Sequence, residues 1–526
     1  MPADYEHLRT RLRIEQSRCL HWGQNVGLAE DLLDETNQLL RLNHNLVLDV
    51  LHEIQRSFRS CLEITTRYDP NPLQKIISFW KRSGRVVGRV EWAMLKKGSF
   101  EDLVTTLISY NDRIESLLDR KSLDDVRTMQ VRSNLMLLQV TDKIDALHTL
   151  VDAIRVGREE PGNATDDLSR ASTLVEPEET GKAALISLAE FKMHRLRMEL
   201  LLPTAESQLI PIDSVTLKGP PSLTGRQRGM LSSKPVWLEW RESADEFMTN
   251  SNRARQVDAR VQQLAAVLGT RSKPAIFRTL DCNGYTRVVK DGRTRYALVH
   301  TLPKERPSAG KVRLISLREL IEDGRVPSLS DRVELASALA ASLLYLHVMD
   351  WVHKDVRSDN VLFTRPTDGT LMLTKPIVAG FEFSRPSVPD EPTVTHVYTL
   401  KQALYRHPDL LSQAVDRSTK SHDIYSLGLV MAEIALWRPI EEIVDIEVRR
   451  TKAMQVQGLV LNEDILTRIT SRVGRKFCGA MQRCVDGSLV ARVVDEAGDE
   501  ESPAVAAEIV RLFHEGVVTE LRSIKM

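Results

Sequence analysis

Cysteine is sparse and scattered. The five thiols, Cys19, Cys61, Cys282, Cys478 and Cys484, form no CxxC pair, which argues against a disulfide framework or a zinc site and for a reducing compartment. Long apolar runs are also missing. No window approaches the roughly 18 uninterrupted apolar residues of a membrane-crossing helix. Residues 1–20 are polar and charged, so no secretory signal is predicted and a cytoplasmic protein is expected. Nor is there an excess of one charge: 72 Lys and Arg balance 72 Asp and Glu, so nothing global draws the chain to nucleic acid or to an acidic membrane. What is present is length, 526 residues at 42% hydrophobic content, enough for two or three cores.

Apolar periodicity divides that length. Residues 1–155 read as helices: Val47, Val50, Leu51, Ile54 and Phe58 fall at helical spacing, as do Leu103, Leu107, Tyr110, Ile114 and Leu118, and again Leu137, Ile144, Leu147, Val151 and Ile154. Short polar joints between them predict an antiparallel bundle. Residues 156–182 turn acidic and rich in Ser, Thr, Pro and Gly, a flexible linker. Residues 183–204 regain helical spacing through Leu185, Leu188, Phe191, Leu196 and Leu200 and are expected to form a brace helix. From about 205 the pattern becomes β-like at 236–240, 276–282 and 296–302, with a helix between the first two runs. The basic residues Lys81, Arg82, Arg85, Arg89, Lys96 and Lys97 read as a solvated segment in preference to a membrane patch, because Gly84 and Gly88 interrupt any helical face.

Three phrases in order, DYEHLRTRLRIEQSRCLHWGQNVGL at 4–28, VEWAMLKKGSFEDLV at 90–104 and LISYNDRIESLL at 107–118, resemble the fungal HeLo cell-death domain. The resemblance implies a membrane-damaging bundle. It also implies an apolar, glycine-rich first helix that this sequence does not show ahead of Asp4, so the membrane-inserting part is expected to be missing.

The segment VHKDVRSDNVLF at 352–363 resembles a protein-kinase catalytic loop, with His353 and Asp355 followed by Asn360. YRHPDLL at 405–411 is similar to the end of an activation segment, and SHDIYSLGLVMAEI at 421–434 to the helix after it. The resemblance implies an α+β bilobal domain over 205–526, with an N-lobe at about 205–302, a C-lobe at about 303–526 and an adenine-sized cleft near His300 and Thr301. It makes Asp355 the general base, Arg357 a phosphate contact, Asn360 a metal ligand, and His353 and Asp423 the structural support of the loop. The pattern departs from a working kinase in four places. Gly380 occupies the magnesium-binding aspartate position in Ala379-Gly380-Phe381, and Glu382 would substitute only after a two-residue shift. The lysine position is assigned to Arg241, whose planar fork does not replace a compact ammonium. The helix at 252–268 contains no glutamate, only Asp258 as a shorter carboxylate. Gly219, Gly225 and Gly229 do not space as GxGxxG.

Together the two halves give a multidomain chain, an all-α bundle joined to a kinase-like domain, similar in architecture to mixed lineage kinase domain-like proteins. The resemblance implies a pseudokinase switch of a fungal cell-death or incompatibility system, phosphorylated within 386–400 at Ser387, Thr393, Thr395 or Thr399 or bound by an upstream signalling protein. Its partners would be other HeLo-type proteins, further copies of the chain and a membrane surface on activation, with no nucleic acid. ATP would bind weakly or without metal, magnesium having lost a ligand. Two rival readings stand beside this one: a weakly active Ser/Thr kinase localised by its bundle, and a noncatalytic scaffold or decoy for complete HeLo proteins.

Overall fold

A computed structural model describes residues 208–219, 225–241, 251–270, 273–290, 293–302, 313–365, 371–381, 385–386, 399–412, 417–445, 453–490 and 502–524. It also describes helices within 97–115 and 143–156 and single positions within 11–22, 53–56, 134–138 and 185–196 and at 493. The chain divides into two compact units, Met1–Leu137 with Lys143–Ala189, and Leu138–Asp142 with Glu190–Met526.

The first unit contains helices α1 (Lys97–Glu115) and α2 (Ile144–Val156). Of the stripes read from the sequence, Leu107 on α1 and Leu147 and Val151 on α2 are buried and Tyr110 and Ile144 half-buried; Val104, Leu150, Leu12 and Trp22 are buried as well. Glu15 is buried with them. Its carboxylate accepts from Asn111 Nδ2 at 2.8 Å and from Arg18 at 3.0 Å, yet burial prevails and raises its pKa above the usual range. The stripe from Val47 to Phe58, the basic stretch at 81–96 and the linker at 157–182 lie outside the described residues.

The second unit opens with a five-stranded antiparallel sheet in the order β1-β2-β3-β5-β4, formed by β1 (Val215–Leu217), β2 (Gly225–Leu231), β3 (Lys234–Arg241), β4 (Cys282–Lys290) and β5 (Arg293–Thr301). A two-residue turn, Ser232-Ser233, joins β2 to β3 with both residues at positive φ (47° and 64°), the conformation that a tight hairpin needs and that glycine or asparagine adopts more cheaply. Helix α3 (Ser251–Gly269) packs Val257, Val261, Leu264 and Leu268 against Tyr285, Tyr296 and Leu298 of the sheet. Residues 276–282 were expected to be a strand. Instead Ala275–Phe277 form a 3₁₀ turn after Pro274, Arg278 turns left-handed at φ 54°, and the strand begins only at Cys282. Lys273 holds this connection, donating to the carbonyls of Leu268 and Leu280.

Beyond the sheet come β6 (Arg313–Ser316), α4 (Leu317–Glu322), α5 (Leu329–Val348), β7 (Trp351–Val352), β8 (Val361–Arg365), β9 (Ile377–Val378), β10 (Arg385–Pro386) and α6 (Lys420–Leu436). Helices α5 and α6 are buried along most of their length and apolar nearly all round, so they form the centre of this part of the unit. Ser328 caps α5 through the backbone N–H of Asp331, and Asp350 at φ 55° turns the chain into β7. Further out lie α7 (Glu463–Val473), α8 (Arg475–Val485), which carries the buried Cys478 and Cys484, and α9 (Pro503–Phe513).

The expected brace falls on both units. Leu185 and Leu188 are buried in the first, whereas Phe191 and Lys192 belong to the second. There Phe191 stacks on Phe277 with ring centroids 5.0 Å apart, and the fully buried Lys192 donates to Asp350 at 3.2 Å. Lys420 takes the other oxygen of Asp350, also at 3.2 Å. Among the described residues, no helix is long and apolar enough to cross a membrane.

Candidate functional site

The loop between β7 and β8 carries His353, Lys354, Asp355, Arg357 and Asn360, and α6 holds it in place. Asp423, in the first turn of α6, is 1% exposed and accepts from the backbone N–H groups of His353 (2.7 Å) and Lys354 (2.8 Å) and from His347 Nε2 (3.1 Å). Burial pushes its pKa up, but these donors outweigh burial and hold the carboxyl below the ordinary range. His353 donates through Nε2 to the Ala379 carbonyl and stacks on Phe381 at 4.6 Å between centroids. His353 and Asp423 therefore hold the shape of the loop.

Asp355 and Asn360 meet. Asn360 Nδ2 donates to the Asp355 carboxylate at 2.8 Å and to its backbone carbonyl at 2.7 Å, while Arg357 Nε lies 3.0 Å from Asp355 Oδ1. Arg357 also reaches Asp359 at 2.9 Å, so this guanidinium is committed to its own loop. Below the loop, Ser358 and Glu433 share the hydroxyl of Tyr405, at 2.9 and 2.7 Å. Burial pushes the Glu433 carboxyl up to about 8.

Gly380 lies directly over Asn360, at φ +86°. A Cβ at this position would run into the side chain of Asn360, whose amide occupies the space where a side chain would begin. The Gly380 N–H points instead to Glu239 of β3, 3.2 Å from Oε2.

The lysine position was assigned to Arg241, whose backbone pairs with Tyr296 at the end of β3 and whose side chain lies outside the described residues. Two residues earlier on the same strand, the Glu239 carboxylate faces the loop. Glu239 is 3% exposed; burial would raise its pKa, but the Arg226 charge, His300 and the Gly380 N–H more than compensate and keep it ionised. Arg226 of β2 supplies the counter-charge at 3.0 Å and extends to the Asn360 side-chain oxygen and the Asp359 carbonyl. His300, expected in the adenine cleft, is 4% exposed and lies 3.7 Å from Glu239. Burial lowers its pKa, and the neutral ring faces the carboxylate without a hydrogen bond.

Asp258, the shorter carboxylate of a helix from which the usual glutamate partner was expected to be missing, pairs with Arg287 of β4 at 3.7 Å. Gly225 and Gly229 lie within β2, not in a phosphate-covering loop. Glu382, Ser387, Thr393 and Thr395 fall outside the described residues, and Thr399 is exposed, capping the short helix Leu400–Ala403. Sequence reasoning missed Arg226 and Glu239; the signal available was a charged residue at an inward position of each of two adjacent strands. Among the described residues one group, His407, Asp409 and His422, gathers metal-type ligands. Both histidines, however, use Nδ1 to accept a backbone N–H, from Asp409 and Thr419, which places the ring proton on Nε2 and leaves no nitrogen lone pair for a metal.

A small antiparallel sheet packed on a helix, followed by a helical part and a loop that carries His353, Asp355 and Asn360, defines a protein-kinase-like domain. In agreement, the family model of the protein kinase domain matches residues 293–488, and the HeLo model, described as prion-inhibition and propagation, matches residues 1–78 and 73–150. The chain thus carries a HeLo match followed by a protein-kinase match.

Curated relatives share the kinase portion. A putative receptor-like protein kinase of Arabidopsis thaliana is 30% identical over 29% of this chain and 18% of its own length. Glycogen synthase kinase 1 of Pyricularia oryzae is 30% identical over 26% of this chain and 33% of its own length. Protein kinase gsk3 of Schizosaccharomyces pombe is 34% identical over 19% and 24%. The chain therefore spans a third or less of the length of these relatives. A protein kinase domain implies ATP binding, but the residues of this cleft do not fit a magnesium ion: the aspartate position holds Gly380, and the oxygen of Asn360 is taken by Arg226.

Proposed function

We propose that the chain is a nucleotide-independent signalling switch, a pseudokinase of the cell-death or incompatibility type whose kinase-like domain governs a HeLo bundle. The observation that carries the reading is Gly380: it offers no carboxylate for magnesium, and the Asn360 amide lies where its Cβ would be, so a side chain could enter only if Asn360 moved. Electrostatics point the same way. The Arg226 charge at this end of the cleft is already met by Glu239 at 3.0 Å, so it is not free to take an anionic phosphate. The prion-inhibition and propagation description of the HeLo match supports the cell-death side of the reading.

Titration of the full chain with ATP, with and without magnesium, tests it through the thermal midpoint. A site half-filled at about 10 μM would add about 2.7 kcal/mol of stability at about 1 mM ligand; the expected result is no shift. A magnesium-dependent rise overturns the proposal. The contact between Asp355 and Asn360 at 2.8 Å is what favours residual phosphoryl transfer, and transfer that disappears in Asp355→Asn would establish that rival reading.

A further inference from the structure

The loss of one carboxylate at Gly380 explains why a metal would bind poorly, but not what Arg226 does there. Its guanidinium leaves β2 and reaches the catalytic-loop region with three donors directed at three oxygens: Nε to Glu239 Oε1 at 3.0 Å, Nη1 to the Asp359 carbonyl at 2.6 Å, and Nη2 to Asn360 Oδ1. A carboxylate, a carbonyl and an amide oxygen are the ligand types that hard divalent cations take. The orientation of Asn360 is set from both ends, because its Nδ2 donates twice to Asp355, which leaves Oδ1 aimed at Arg226. Glu239 and Asn360 are 3% and 2% exposed, while the Arg226 side chain that joins them is 22% exposed, so its contacts are partly withdrawn from water.

We propose that Arg226 is a chain-supplied cation that occupies the metal position and fastens the β-sheet to the catalytic loop, closing the cleft on its own ion pair and excluding divalent ions. The inference rests on the nucleotide-independent reading and deepens it: the domain closes without a ligand, so what a partner or a modification would have to break is the Arg226 clamp. The planar fork is suited to the task, since a lysine ammonium would not span the three acceptors in the same geometry. Without Arg226 the buried carboxylate of Glu239 has no charged partner at hydrogen-bond distance among the described residues, and a divalent ion becomes its natural substitute.

The test uses the full chain, wild type and Arg226→Ala, with thermal midpoints read in EDTA and in manganese chloride and bound Mn²⁺ read by electron paramagnetic resonance. Wild type is expected to ignore manganese. Arg226→Ala is expected to melt several degrees lower in EDTA and to recover with manganese, and the double variant Arg226→Ala, Glu239→Gln to lose that recovery. Arg226→Gln, which removes the charge but keeps a donor, carries the same expectation should the alanine variant not fold. Stoichiometric manganese bound by wild type, or a folded Arg226 variant that ignores manganese, overturns the clamp while leaving nucleotide independence intact. An ATP shift of wild type without metal overturns nucleotide independence while leaving the clamp.

Discussion

Glu433 links the helical core to the loop under the cleft, and its chemistry gives the domain a pH response. The folded-state carboxyl is raised to about 8, mainly by burial, whereas in the unfolded chain it titrates near 4.5. The folded form thus holds a proton that the unfolded form releases. The stability this contributes is fully present below about 4.5 and is lost as pH rises through about 8. Denaturant midpoints should therefore fall between pH 6 and 8.5 in wild type and fall less in Glu433→Gln, which mimics the protonated acid. Asp423 is different: Asp423→Asn removes a charged acceptor from two backbone amides and should cost about 2–4 kcal/mol. Asp423 and Gly380 could be singled out in the sequence because each stands at a fixed offset from a recognisable loop. Glu239 could not, because nothing in its strand pattern marks its carboxylate as turned towards that loop.

That register is set at the level of the hairpin. The tight turn at Ser232-Ser233 fixes which residues of β2 face which of β3, and so places Arg226 opposite Glu239. Both serines stand at positive φ, a conformation costing L-residues about 1–2 kcal/mol each. Replacing the pair by Asn-Gly should raise the denaturant midpoint by an amount worth about 1–2 kcal/mol with an unchanged slope; a drop would mean that the serine side chains contribute more than the turn geometry. Helix α6 was legible from the resemblance of residues 421–434 to a kinase helix; both α5 and α6 bury almost every turn. The run at 276–282 was misread because its apolar and β-branched residues fit a strand, while Pro274 and the lysine ties of Lys273 bend the backbone before a strand can start.

At the scale of the whole chain, the two units have separate cores, and the family matches to HeLo and to the protein kinase domain fall one on each. The two-part architecture was legible because composition changes abruptly at the linker, whereas the brace was legible only as a helix: its spacing gives no sign that Phe191 and Lys192 pack with the second core. On the proposed switch, Arg226→Ala should release more dye from anionic vesicles than wild type does when both are compared as full chains; equal leakage would separate the cleft from the bundle. The buried cysteines supply an internal chronometer for such work. Cys19 lies in the first unit and Cys282, Cys478 and Cys484 in the second, all buried, with burial raising the Cys282 thiol to about 12 and the Cys484 thiol further. A thiol held out of solvent reacts with an alkylating reagent only when its surroundings open. The order in which these four acquire label therefore dates the opening of each unit separately, without a dye or a tag being introduced.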